Sequence, residues 1–115
     1  MIIAVEGTKS FSNYETFMRA MGVALSTPNK TDTIEVWSAG PHKINSFTAA
    51  FCNSSENFLR SQGYRVTFKK LPASAIEQQI SEVDYLAYFS GRKESLSRLI
   101  GTAQLAGTEV GIFRV

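Results

Sequence analysis

Five short apolar runs alternate along this chain with four stretches whose apolar residues recur at helical spacing, and that alternation restricts the fold more than any other feature. Residues 1–6 (Met-Ile-Ile-Ala-Val-Glu) form a nearly unbroken apolar run of the kind that suits a strand covered on both faces, as in a parallel sheet. Further runs occupy residues 34–37, 64–68, 83–89 and 108–115. Between them, Tyr14, Phe17, Met18, Met21 and Leu25 predict the buried stripe of a first helix, and Ile44, Phe47, Phe51 and Phe58 that of a second. Ile76 and Ile80 give a short third helix an apolar edge, and Leu96, Leu99, Ile100 and Ala103 mark a fourth. Ser12-Asn13-Tyr14-Glu15 and Ser74-Ala75-Ile76-Glu77 each match a capping box, while Gly63 and Gly107 close the second and fourth helices. Residues 26–33, with Pro28, Asn29 and Asp32, read as a turn-rich connection, and Lys69-Lys70-Leu71-Pro72 as the end of the third strand. Such an order predicts one α/β domain over residues 1–115: a five-stranded, mostly parallel sheet with right-handed crossovers and helices on both faces.

Composition narrows the function classes. The formal charge is only +2, with Lys and Arg scattered among acidic residues, which argues against a nucleic-acid surface. The apolar start is five residues long before Glu6, too short for a signal peptide or a membrane span. One cysteine, Cys52, and one histidine, His42, leave no internal disulfide and no zinc set, so neither metal nor cofactor is expected and a reducing cytoplasm is the expected location. Cys52 sits beside the second helical stripe and reads as a small buried hydrophobe.

In open parallel sheets ligands bind outside the carboxyl ends of the strands. Three such ends are predicted here, each small, polar and basic: Gly7-Thr8-Lys9-Ser10, Ser38-Ala39-Gly40-Pro41 and Ser90-Gly91-Arg92-Lys93. Thr8, Ser10 and Lys9 could surround a phosphate. Gly40 would allow close backbone approach at a helix start, with Ser38, His42 and Asn45 offering side-chain hydrogen bonds. Arg92, flanked by Ser90 and Ser95, suits a bidentate anion contact. No acid or nucleophile stands at a recognisable spacing from His42, so binding is expected rather than catalysis.

These segments carry a resemblance. Gly7-Thr8-Lys9-Ser10-Phe11-Ser12-Asn13-Tyr14 resembles the Gly-Ser-Arg-Asp-Phe opening of the small YspA-like members of the SLOG superfamily, the Rossmann-like group that includes the LOG nucleotide hydrolases. Ser38-Ala39-Gly40-Pro41-His42-Lys43-Ile44-Asn45 resembles its Gly-Gly-Ala-x-Gly-Ala-Asp segment, and residues 91–95 its Gly-Lys-Ser-x-Gly-Thr loop. The resemblance implies a single Rossmann-like domain, a nucleotide or nucleotide-derivative ligand at these loops, self-association through helices, and a phage-borne setting. The LOG loop Pro-Gly-Gly-Gly-x-Gly-Thr, with its catalytic arginine and glutamate, is not found in this chain, and Ala39, Lys43, Asn45 and Leu96 depart from the family pattern. The expected function is therefore a module that senses or sequesters a phosphate-bearing molecule. The alternative is a small interaction protein that binds and inhibits a host protein, and nucleotide hydrolysis is the reaction the resemblance would imply if any remained.

Overall fold

The structure, a computed structural model, describes residues 1–26, 31–91 and 94–114. Pro28 and Asn29 of the second connection, Arg92 and Lys93 of the loop after the fourth strand, and Val115 lie outside the described residues. The elements follow in the order β1 (Ile2–Gly7), α1 (Tyr14–Leu25), β2 (Thr33–Ser38), α2 (His42–Ser61), β3 (Arg65–Lys70), α3 (Ala73–Gln78), a 3-10 turn (Ile80–Glu82), β4 (Tyr85–Ser90), α4 (Arg98–Leu105) and β5 (Glu109–Arg114). All five strands are parallel and lie in the order β3-β2-β1-β4-β5. The expected α/β architecture, with a five-stranded sheet and helices on both faces, is what the chain adopts.

That strand order decides where the helices go. The first two crossovers run outward from β1 to β3 and place α1 and α2 on one face. The chain then returns across the sheet to β4 and continues to β5, which puts α3 and α4 on the other face. The connections after β1 and β4 therefore leave in opposite directions from adjacent strands, opening a crevice at their carboxyl ends.

The α1/α2 face is built from alternate strand residues Ile3, Val5, Ile34, Val36, Tyr85, Ala87 and Phe89 against Phe17, Met21, Ile44 and Phe51. The opposite face sets Ala4, Trp37, Leu86 and Tyr88 against Ile76, Leu99, Ile100 and Ala103. β4 is buried along its whole length, consistent with its apolar run.

Several local expectations are corrected. Phe58 is 66% exposed, Met18 42% and Leu96 44%. The buried line of α2 runs through Ile44, Thr48, Phe51, Cys52 and Leu59, leaving Phe47 and Phe58 on its edge. Phe47 is covered there by Phe11, Tyr14 and Phe17, whereas Phe58 lines an open cleft together with Gly22 and Leu25 of α1. Met18 falls one position off the line through Phe17, Met21 and Ala24, and Leu96 precedes α4, which begins only at Arg98.

Neither capping box forms. Asn13 is the N-cap of α1, its Oδ1 accepting from the Thr16 amide at 3.0 Å, and Glu15 instead pairs with Arg19. Pro72 leads into α3, so Ser74 lies inside that helix. Lys69 and Lys70 extend β3 rather than ending it, since an edge strand tolerates lysine and is protected by it. Among the described residues, no helix is long and apolar enough to cross a membrane.

Candidate functional site

The loop after β1 sits at the centre of the carboxyl-end surface and is tied to both neighbours. The Gly7 amide donates to the Gly40 carbonyl at 3.2 Å, and the Thr8 amide to the Phe89 carbonyl at 2.9 Å. A Cβ on Gly7 would come within 2.6 Å of that Phe89 carbonyl and 2.9 Å of Ile44 Cδ1, so only glycine lets the three strand ends close up.

Beyond Gly7 the crevice between β1 and β4 holds a carboxylate. Glu94 Oε1 accepts from Thr8 Oγ1 at 2.8 Å, from the Gly91 amide at 2.9 Å and from Ser10 Oγ. Thr8 Oγ1 and Ser10 Oγ are themselves 3.3 Å apart. A Cβ on Gly91 would stand 2.6 Å from Glu94 Oε1 and 2.8 Å from Ser10 Oγ, so the cradle depends on glycine there. The hydrogen bonds from Ser10 and Thr8 are the main reason the Glu94 carboxyl lies below its usual range.

A second carboxylate lies on the α3/α4 side. Glu6 follows Ala4 on that face and pairs in register with Tyr88. It is half-buried at the end of β1 and accepts from Ser97 Oγ. Burial raises its pKa, and the Ser97 bond offsets only part of the rise. Ser97 is the N-cap residue of α4 yet makes no capping bond, because its hydroxyl serves Glu6. Burial, and after it the Glu6 and Glu94 charges, push the Tyr88 phenol upward against the lowering influence of Arg114. Two polar atoms among the described residues, Trp37 Nε1 and Ser90 Oγ, are buried without a hydrogen-bond partner. Trp37 belongs to the α3/α4 face, and Ser90 follows Leu86 and Tyr88 onto it by strand alternation.

The end of β2 is arranged differently. Ser38 is buried, and its hydroxyl donates to Asn45 Oδ1 at 2.5 Å; Thr48 Oγ1 lies 3.4 Å from Ser38 Oγ and 2.7 Å from the Ile44 carbonyl it donates to. Gly40 is buried with φ at 93°, and the Gly40-Pro41 peptide is cis. Pro41 provides no side-chain cap to α2, and the His42 side chain at its start is exposed.

Of the residues singled out from the sequence, the structure therefore gathers Thr8, Ser10 and Gly91 around one point. Gly7 and Gly40 brace that point from the backbone, and Ser38 and Asn45 bond to each other. Lys9 and Ser95 are exposed beside the crevice, Ala39 and Pro41 half-buried at its β2 side, and Arg92 is not among the described residues.

Sequence reasoning missed Glu6, Glu94 and Ser97. A charged residue ending an otherwise apolar central strand was the available signal for Glu6; nothing local marks Glu94, whose hydroxyl partners lie 86 and 84 residues away. Cys52 is buried and its thiol is pushed up to about 11, which removes it as a nucleophile at neutral pH. No group of three or more His, Cys, Asp or Glu that could hold a metal occurs among the described residues. Comparison of the chain with protein-family models, with curated proteins and with solved structures finds no match in any of the three.

Proposed function

We propose that the crevice between the carboxyl ends of β1 and β4 binds a small phosphate-bearing ligand, a nucleotide or nucleotide derivative, and that the protein senses or sequesters it in the cytoplasm. The observation that carries this reading is the convergence of Thr8 Oγ1, Ser10 Oγ and the Gly91 amide on one anionic oxygen at the point where the crossovers diverge. Donors fixed around an anion in this way suit a phosphate oxygen equally well, because charge-assisted hydrogen bonds are the strong ones and need no rearrangement of the backbone. The exposed Lys9 beside them adds attraction at long range. The half-buried Glu6 offers an acceptor for ligand hydroxyls or amines. The SLOG resemblance points to the same ligand class.

The test is calorimetric titration of nucleoside mono- and diphosphates, ADP-ribose and cyclic dinucleotides into the wild type and a Thr8→Val/Ser10→Ala variant. Binding of at least one phosphate ligand, weakened about tenfold or more in the variant, is the expected result, since two charge-assisted bonds at roughly 1 kcal/mol or more each are removed. Lys9→Ala and Arg92→Ala should each weaken binding without changing the melting temperature of the free protein by more than a few degrees.

A second reading, a protein that binds and inhibits a host protein, draws on a different observation. Phe58 stands 66% exposed in a cleft of about 470 Å³ between the ends of α1 and α2, beside Leu25 and Tyr64. Absence of any phosphate ligand in the titration would favour that reading.

A further inference from the structure

We propose that Glu94 is a built-in competitor for the anion cradle: a ligand phosphate enters by expelling the Glu94 carboxylate and taking over its three donors. This rests on the reading of the crevice as a phosphate site. The carboxylate oxygen already has the contacts a phosphate oxygen would need, from Thr8 Oγ1, Ser10 Oγ and the Gly91 amide. Gly91 leaves that space open, since any side chain would begin 2.6 Å from the carboxylate. The cradle cannot hold both anions at once.

Glu94 is also placed to leave. It lies ahead of the first turn of α4 in a segment without regular secondary structure, so its side chain can turn outward without breaking a helix. It is partly exposed and makes no ion pair among the described residues, so solvent can receive the released carboxylate. When it leaves, Thr8 keeps its place, because its amide donates to the Phe89 carbonyl, and the Phe11 amide, donating to the Thr8 carbonyl at 3.2 Å, closes the turn that carries Ser10.

Competition of this kind has a signature. A tethered occupant lowers the apparent affinity of every ligand that needs the cradle by one common factor, the fraction of time the cradle is open. It leaves untouched any ligand that binds elsewhere in the crevice. If the cradle is open about a tenth of the time, Kd rises about tenfold for inorganic phosphate and for AMP alike, and not at all for adenosine.

The experiment titrates inorganic phosphate, AMP and adenosine into the wild type, Glu94→Ala, Glu94→Gln and the triple variant Thr8→Val/Ser10→Ala/Glu94→Ala, with melting curves confirming that each is folded. Glu94→Ala should bind phosphate and AMP about tenfold tighter by the same factor, with adenosine unchanged. Glu94→Gln, whose amide oxygen can still accept, should fall between, and the gain should disappear in the triple variant. Equal binding of phosphate and AMP by wild type and Glu94→Ala would overturn the competition and leave the phosphate site standing. A gain that survives loss of the Thr8 and Ser10 hydroxyls would also overturn it, because removal of a nearby negative charge would then account for the effect. No binding of phosphate or AMP to any variant would end both the competition and the reading on which it rests.

Discussion

The two faces of the sheet are packed by different means. Under α1 and α2 the contact is aromatic: the Phe17 ring lies tilted or edge-on at 4.7 Å from Phe89, 5.6 Å from Phe47 and 6.4 Å from Phe51 between centroids, and Phe11 and Phe113 extend the cluster. Among the described residues, the two buried side-chain polar atoms left unpartnered, Trp37 Nε1 and Ser90 Oγ, belong to the other face, on which the half-buried Glu6 also lies. There α3 has six residues and α4 eight, and an exposed ion pair, Arg98 to Glu77 at 3.1 Å, links them. Such a pair contributes little to stability. The contrast teaches that the long helices α1 and α2 provide the rigid base, while the short ones cover the side on which strand-end polar groups gather. A binding crevice needs both, a scaffold that does not move and a margin where polar groups are not yet satisfied.

The comparison is broken most directly by Phe17→Ala. Phe17 is fully buried and touches four other rings, so its truncation should cost about 3–5 kcal/mol, read as a lowered urea midpoint. Phe58→Ala, made at a side chain 66% exposed, should stay within about 0.5 kcal/mol of wild type. Near-equal midpoints for the two variants would show that the aromatic face is not the rigid one. On the other face the sign should reverse. Ser90→Ala removes a buried hydroxyl that has no partner, so it should stabilise the protein by about 1 kcal/mol, the lower end of the desolvation cost of an unmet polar group. Destabilisation by Ser90→Ala would mean that the hydroxyl is satisfied and the contrast between faces weaker than drawn.

Legibility from sequence followed the same division. The strands and the stripes of α1 and α2 were readable because burial on a parallel sheet imposes continuous apolar runs and burial on a helix imposes a period. Phe58 misled because periodicity reports which side of a helix a residue occupies, and cannot report that an open cleft, lined by Gly22 and Leu25 of α1, lies beside it. Both capping boxes misled for a related reason: Asn13 and Pro72 begin the helices, and the pattern spaced around Ser12 or Ser74 has no knowledge of which residue turns first. At the strand ends, the small polar loops pointed to the right surface, and Thr8, Ser10 and Gly91 do meet. What brings them to a single point is Glu94, through contacts with Thr8 and Ser10 that span more than eighty residues and leave no local pattern.

The smallest expected effect is the sharpest test of the polar margin. Glu6 is held above its ordinary pKa of 4.5 chiefly by burial, with the Ser97 hydroxyl working against that rise. A carboxyl whose folded pKa is raised contributes stability that is fully present below the unfolded pKa and is lost as pH climbs through the folded one. The ionised Glu6 at neutral pH is therefore a net cost, which Glu6→Gln removes while keeping an oxygen for Ser97. Since Glu6 is only partly buried, solvent screening limits the gain to no more than about 1 kcal/mol at pH 7. The difference between variant and wild type should shrink to a constant baseline below about pH 4, where the wild-type carboxyl is protonated in both states. Ser97→Ala should enlarge the pH-dependent part, because the bond that opposes the rise is then gone. Melting temperatures of the three proteins between pH 3.5 and 7 decide the matter. A gap between Glu6→Gln and wild type that does not change over that range would mean Glu6 is not desolvated, and the α3/α4 face would lose its claim to be the unsatisfied side of the sheet.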